Sequence, residues 1–515
     1  MKFALLPCAA LFASHVFASV SPATDKLADY AVTHYQNAQI HTLGNMVSFP
    51  TVNKKDIDTP QNPDFIGFKS LLKMKASELG FDYQDFGHTV LIGMGEQQEK
   101  VTIVTHGDVQ PADPTKWQQS PFLLDKTSEP GKLIGRGTED DKGAIATALY
   151  AMKTLKDNNV KLNNRIELMV YLAEESDWEP LKRFMKSYHQ PKYAVTIDAS
   201  YPVVVAEKGW SLIAPTFTGS SPKTGVYVSE LNGGAFVSQI PEDASIVLHN
   251  ADETTLTKVK QNIDSLKDVH VTLTPQGDTF LINVKGESAH SSEPEAGHNA
   301  IAHLAEIFKG IDLENNSDGQ AIEFINQLIG LDLYGAQFGE IAYRHDFMGP
   351  MTVAPTLLKR SENGLKLSVN LRRPVGKTEA LLKSQIDTAL NNWQANNNVT
   401  LNNVEIHIGT PMLLDDAPHA EALLDIFKHF TGDNDASFVS IGGGTNAKLF
   451  DNAVSFGPSM PGKKYTGHSE HEYLFGPSMP GKKYTGHSEH EYLTPEQMAL
   501  NLKMYTAMMV KLGNM

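Results

Sequence analysis

The chain has almost no cysteine: a single residue, Cys8, in 515. It lies in the apolar run FALLPCAALFA at the very start, so the rest of the chain can form no disulfide, offers no thiolate to a metal and has no cysteine nucleophile. Positive charge is scarce as well, with 44 Lys and Arg against 60 Asp and Glu, a net of −16. Nucleic acid or an anionic membrane surface calls for a basic face, so neither is expected as a partner. The early apolar run is too short to span a bilayer stably. Lys2, that run and Val16-Phe17-Ala18 have the charged start, apolar middle and small-residue end of a secretory signal peptide. Residues 1–18 are therefore expected to be a signal peptide, and the protein to be exported to a bacterial periplasm. A lipoprotein site at Cys8 fits less well, because the cysteine comes so early.

What the chain does have is carboxylates and histidines placed after apolar runs that read as strands. VTIVT runs into His106-Gly107-Asp108, LMVYLA into Glu174-Glu175 and YAVTI into Asp198. LIGRGTE leads to Asp140-Asp141, and NAVSFGP to a loop with His468. Open α/β sheets bind their ligands in the crevice beyond the carboxyl ends of the strands. Carboxylate oxygens mixed with imidazole nitrogens are the ligand set of Zn²⁺ or a similar divalent ion. The residues thus predict a two-metal hydrolase.

At 515 residues the chain is too long for one ordinary core, and two domains are expected. Strands alternate with helical stretches such as KGAIATALYAMKTLKD up to Gly209. Between residues 210 and 405 the pattern changes to alternating strands, a helix and KLSVNLRRP, an α+β character. It then returns to α/β, ending on the amphipathic PEQMALNLKMYTAMMVKL. The expected fold class is α/β: a helix-covered, mostly parallel sheet over 19–209 plus 406–515, carrying an inserted α+β lid over 210–405.

The segments THGDVQP, GRGTEDDKG, YLAEES, TIDASYPVVVAEKG, GESAHSSEPEAGHNA, NLRRP and GHSEHEYL, in this order, resemble the signatures of the M20 metallopeptidases. The resemblance is to the long bacterial dipeptidase branch, the PepV-like dipeptidases, and covers nearly all of the chain beyond its first two dozen residues. It implies one metal on His106, Asp140 and Asp198 and a second on Asp140, Glu175 and His468 or His487. Asp140 bridges, since one carboxylate can hold two cations about 3.5–4 Å apart. Asp108 is expected to accept the second N–H of His106 and fix the ring's tautomer. Asp141 is harder to assign; it caps the next helix at most, and the family often has a cis peptide here. Glu174 is the expected general base, taking a proton from a metal-bridging water and passing it to the leaving amine.

His290 has no strand-end cluster around it and by itself reads as a surface histidine; the resemblance makes it the group that stabilises the oxyanion. Arg372 matches the family arginine that holds the substrate's terminal carboxylate, a bidentate task suited to guanidinium. Arg373 and Ser238 stand where an aromatic residue and an asparagine are expected. The glycines Gly442–Gly444 suit either close approach to a carboxylate or a plain tight turn.

The segment FGPSMPGKKYTGHSEHEYL occurs at 456–474 and, letter for letter, again at 475–493. A perfect tandem copy is a recent duplication or an assembly error, and it supplies two candidates, His468 and His487, for one ligand position. Loops tolerate insertion better than strands or helices, so one copy is expected to bulge out. The resulting expectation is a periplasmic dipeptidase, monomeric because of its long lid, using two divalent ions (Zn²⁺, with Mn²⁺ or Co²⁺ as alternatives) on short unblocked peptides. The rivals are an M20-type deacylase of N-acyl amino acids or succinyl-diaminopimelate, and a catalytically dead homologue that binds metal or peptide.

Overall fold

The computed structural model describes residues 20–112, 114–414, 416–463 and 491–515. The expected signal peptide lies outside them. Two compact units emerge: the first takes in the chain up to Val204, 416–439 and 446–515, and the second comprises 205–415 and 440–445. The second unit is thus wider than the expected 210–405 and claims a piece that the sequence pattern left with the catalytic domain. The reason is hydrogen bonding: Thr445 donates its N–H and hydroxyl to the buried Glu207 carboxylate at 2.9 and 2.6 Å. Lys208 likewise donates its N–H to the Ile441 carbonyl at 3.0 Å.

In the first unit the strands lie in the spatial order Asp82–Asp85, Thr89–Met94, Arg165–Tyr171, Lys100–His106, Tyr193–Thr196 and Ala453–Ser455. The last four are parallel and the first two antiparallel. The connections explain the mixture. A three-residue turn joins the first pair, whereas helices Gly143–Asp157 and Glu179–Met185 carry the chain between parallel strands. KVTIVTH is buried from its second residue onward, as a central strand covered on both faces must be. From this strand the chain crosses to Arg165–Tyr171 on one side and later to Tyr193–Thr196 on the other. That reversal opens a crevice at the carboxyl end of Lys100–His106.

Helices Pro22–Val47, Gly143–Asp157 and Pro495–Leu512 pack together in this unit. Gln39 sits at their seam, fully buried, and donates to Thr147 Oγ1 at 2.6 Å and to the Met498 carbonyl at 3.3 Å. Thr494 caps the last helix through its side chain and Pro495 occupies the first turn, where its missing N–H costs nothing.

The second unit contains two antiparallel four-stranded sheets. One runs Thr352–Ser361, Gly364–Arg373, Gly209–Phe217, Asn403–Ile408; the other runs Tyr227–Gly233, Asp243–His249, Thr279–Lys285, His270–Gln276. NVEIHI alternates exposed and half-buried residues, the period of a strand with one solvated face. Phe217, Phe324, Phe338 and Trp393 form the aromatic centre of its core, with edge-to-face contacts at 5.1–6.2 Å. Among the described residues no helix is long and apolar enough to cross a membrane.

Candidate metal centre

Four segments of the first unit end at the crevice. Lys100–His106 delivers His106 and, past Gly107, Asp108. A side chain at Gly107 would place its Cβ 2.5 Å from Phe68 Cε1, so only glycine lets the strand end pass this buried ring. Arg165–Tyr171 continues to Glu174 and Glu175, and Tyr193–Thr196 to Asp198. The turn Thr138–Lys142 supplies Asp140 and Asp141, joined by a cis peptide bond.

The His106 ring is buried, with Nε2 2.6 Å from Asp140 Oδ1 and 3.7 Å from Asp198 Oδ1. Its Nδ1 donates to the Asp108 carbonyl at 3.1 Å. Protonated, the ring donates Nε2–H to Asp140; neutral, with its proton on Nδ1, it would present the Nε2 lone pair to a metal ion beside the same carboxylates. Burial alone lowers the pKa of this imidazole, but Asp198 and Asp140 outweigh it and hold the group well above its ordinary value. Burial, reinforced by Asp198, raises Asp141 and Glu174 well above the usual carboxylate range. Burial also pushes Asp198 up to about 6. The site therefore concentrates more negative charge than a low-dielectric pocket holds by itself, and its donors suit divalent ions.

The ligating atoms of His106, Asp140 and Glu175 lie within 4.8 Å of one another, as do those of His106, Asp141 and Asp198. Asp141 is thus part of the donor cluster and not a helix cap: helix Gly143–Asp157 has no side-chain cap, and the Asp141 carboxylate instead accepts the Thr105 hydroxyl. Asp108 also departs from expectation. Its carboxylate lies 3.5 Å from His106 Nδ1, too far for a good hydrogen bond, and its backbone carbonyl takes that role. The carboxylate is committed elsewhere, accepting the N–H groups of Glu174 at 3.0 Å and Glu175 at 3.1 Å and the Asn53 amide at 2.9 Å. Gln110 donates to Glu175 Oε2 at 3.0 Å. Glu174 belongs to neither ligand group among the described residues.

Sequence reasoning missed Asn53, Gln110 and Glu491. Glu491, fully buried, accepts the backbone N–H groups of Glu139 and Asp140 and the Arg136 guanidinium. Gln110 and Glu491 stood inside the quoted motifs, but only their contacts give them a role. His468 and His487 both lie outside the described residues. The described chain keeps 456–463 from the start of the first copy and 491–493 from the end of the second.

His290 and Arg372 belong to the second unit. His290 is exposed, on the two-residue strand Ala289–His290. Its Nδ1 lies 2.6 Å from Ser292 Oγ and 3.3 Å from the Ser292 N–H. Arg372 is buried and donates to Asn370 Oδ1 at 3.1 Å, the Gly442 carbonyl at 3.3 Å and Ser291 Oγ at 2.9 Å, all neutral oxygens. Burial lowers its pKa to about 9. Gly442 belongs to this cluster because a Cβ there would stand 2.6 Å from the Ser292 carbonyl oxygen. Arg373 is equally buried, but its guanidinium bonds to the Lys377 carbonyl at 2.6 Å.

Comparison with known proteins completes the picture. The family model of Peptidase family M20/M25/M40 matches residues 102–511. The chain is 26% identical over 458 residues to a curated protein of Staphylococcus saprophyticus named "Putative dipeptidase", covering 86% of this chain and 94% of that one. It is also 26% identical over 424 residues to YtjP of Bacillus subtilis, similarly named, covering 79% and 85%. Among solved structures, human carnosine dipeptidase 1 shares the fold at 14% identity with a TM-score of 0.54, covering 96% of this chain and 99% of that one. The dipeptidase Dug1p of Saccharomyces cerevisiae does so at 13% identity with a TM-score of 0.55, covering 95% and 98%. The fold is therefore that of a catalytic α/β domain with a second, lid-type α+β domain. With its family model matched over most of its length, the chain belongs to the M20/M25/M40 peptidases, metal-dependent enzymes.

Proposed function

We propose that this protein is an exported, monomeric two-zinc dipeptidase acting on short peptides with a free carboxyl terminus. The observation that carries the reading is His106 Nε2 facing two carboxylates, Asp140 and Asp198, with Glu175 beside them and Glu174 left out of the ligand groups. His106, Asp140, Asp198, Glu175 and one of His468 and His487 would hold the ions. When bound, divalent ions supply Lewis acidity, lowering the pKa of water and polarising a carbonyl. Asp108 fixes the Glu174 backbone through its N–H, which aims the Glu174 carboxylate. Glu174, a buried carboxylate whose proton affinity burial raises, takes a proton from the attacking water and returns it to the leaving amine.

His290 would donate a ring N–H to the carbonyl oxygen as negative charge develops there. Arg372, a buried cation bonded only to neutral oxygens, would take the substrate carboxylate. An N-acyl amino acid carries the same carboxylate, so the deacylase is the rival to separate. The test is hydrolysis of matched unblocked and N-acylated dipeptides by zinc-loaded protein, with and without chelator. The reading expects chelator-sensitive cleavage of the unblocked set. Turnover of the acylated set alone would replace it with the deacylase, and zinc binding without turnover with the dead homologue.

A further inference from the structure

We infer that Glu491 is a positioning residue that fixes Asp140 for metal binding; the inference rests on the reading of Asp140 as a ligand. Asp140 has φ −131° and ψ 92° in the turn Thr138–Lys142, so its N–H stands outside any helical ladder and needs another acceptor. Glu491 Oε1 provides it, accepting the N–H groups of Glu139 at 3.0 Å and Asp140 at 3.1 Å. Its Oε2 accepts from Arg136 Nη1 at 2.9 Å, and Arg136 Nη2 is held by the Pro111 carbonyl at 3.1 Å. Both partners of this ion pair are at most 1% exposed. A second pair brackets the same peptide: Lys463 Nζ lies 2.9 Å from Glu139 Oε1 and donates to the Tyr492 carbonyl at 3.2 Å.

A buried ion pair gains little stability over apolar packing of the same volume. What apolar packing cannot do is hold two adjacent backbone N–H groups, and with them the direction in which the Asp140 carboxylate leaves the chain. Groups that orient a ligand in this way affect metal affinity or activity by roughly 10–100-fold. The tandem duplication matters to the test, because Glu472 holds in the first copy the place that Glu491 holds in the second. Either glutamate could serve after a single substitution, so both are changed together.

The experiment titrates Zn²⁺ into full-length chelated protein against a chromophoric chelator and measures kcat and KM, with melting curves as the folding control. E472A/E491A should bind zinc about 10–100-fold more weakly and lose kcat with little change in KM. E472Q/E491Q keeps an acceptor oxygen for the two N–H groups and should lie nearer to wild type. A folded alanine variant with wild-type zinc affinity would overturn the inference, and so would equal losses in both variants. Should the alanine variant not fold, Arg136→Gln decides, since zinc affinity unchanged after Glu491 loses its anchor also overturns it. Asp140→Asn tests the foundation separately: if it binds zinc like wild type, Asp140 is no ligand, whatever Glu491 does.

Discussion

The two units bury charge of opposite sign, and each leaves it unbalanced. In the first, Asp140, Asp141, Asp198, Glu174 and Glu175 gather around one imidazole, and burial raises several of their pKa values. In the second, the Arg372 guanidinium is buried among neutral oxygens, and burial pulls its pKa down to about 9. A fold selected only for stability would neutralise both. The difference teaches what each unit can take up: the carboxylate cluster of the first suits cations, and the buried guanidinium of the second would, under the proposed reading, take the substrate's carboxylate.

The sharpest way to break this comparison is to remove the one carboxylate assigned to proton transfer and not to charge balance. Glu174→Gln should lower kcat by about 10²–10⁴-fold while zinc binding persists. Zinc affinity that fell along with kcat would return Glu174 to the ligand set. On the other side, Arg372→Lys keeps the charge but loses the planar fork, and should raise KM for unblocked dipeptides by about 10-fold or more. An unchanged KM would remove the anion site from the second unit.

Neutralising an excess anion tests the cost of the first unit's imbalance. Asp198 has a folded pKa of about 6, above its ordinary value, so in metal-free protein it destabilises the fold progressively as pH rises from about 4 to 6. Asp198→Asn should therefore stabilise chelated protein at pH 7 by up to about 3 kcal/mol, at 1.36 kcal/mol for each unit of the rise to about 6, read as a higher melting temperature. The same substitution should weaken zinc binding. A variant that melts lower without metal would show that the Asp198 charge is already compensated.

The smallest expected effect lies away from the centre. His419 is fully buried against Tyr193, donates Nε2–H to the Ala194 carbonyl at 3.2 Å, and burial lowers its pKa to about 4. The unfolded chain takes up its proton near pH 6.5 and the folded chain only near 4, so stability is lost as pH falls through that window. This runs opposite to Asp198. Replacing His419 by Gln should flatten the acid limb of the stability curve; a limb of unchanged slope would mean that His419 is protonated in the folded protein.

Some of this was legible in the letters and some was not, for identifiable reasons. His106, Glu174, Glu175 and Asp198 each follow an apolar run, and a run long enough to be a buried strand fixes where its next residues emerge; Asp140, in an irregular turn, was legible only through the motif GRGTEDDKG. The place of Asp141 beside the ligand candidates was not readable, because it depends on which way a side chain leaves an irregular turn and on the Thr105 hydroxyl that donates to it. The preference of His106 for the Asp108 carbonyl over its carboxylate was equally hidden, since three donors from Asn53, Glu174 and Glu175 first had to claim that carboxylate. The glycine turn at 442–444 sat on the wrong side of the expected domain boundary because two hydrogen bonds to Glu207, distant in sequence, hold it to the second unit.

The sequence by itself determined the family, the alternation of strands and helices and the residue types of the metal centre. These follow from local periodicity and from short motifs whose spacing is fixed by the strands they end. Only the tertiary structure decided which side chains share a hydrogen bond or stand together in one donor cluster. Glu491 shows why: it reaches Asp140 across some 350 residues of sequence, and no local pattern records a contact that exists only once the chain has closed upon itself.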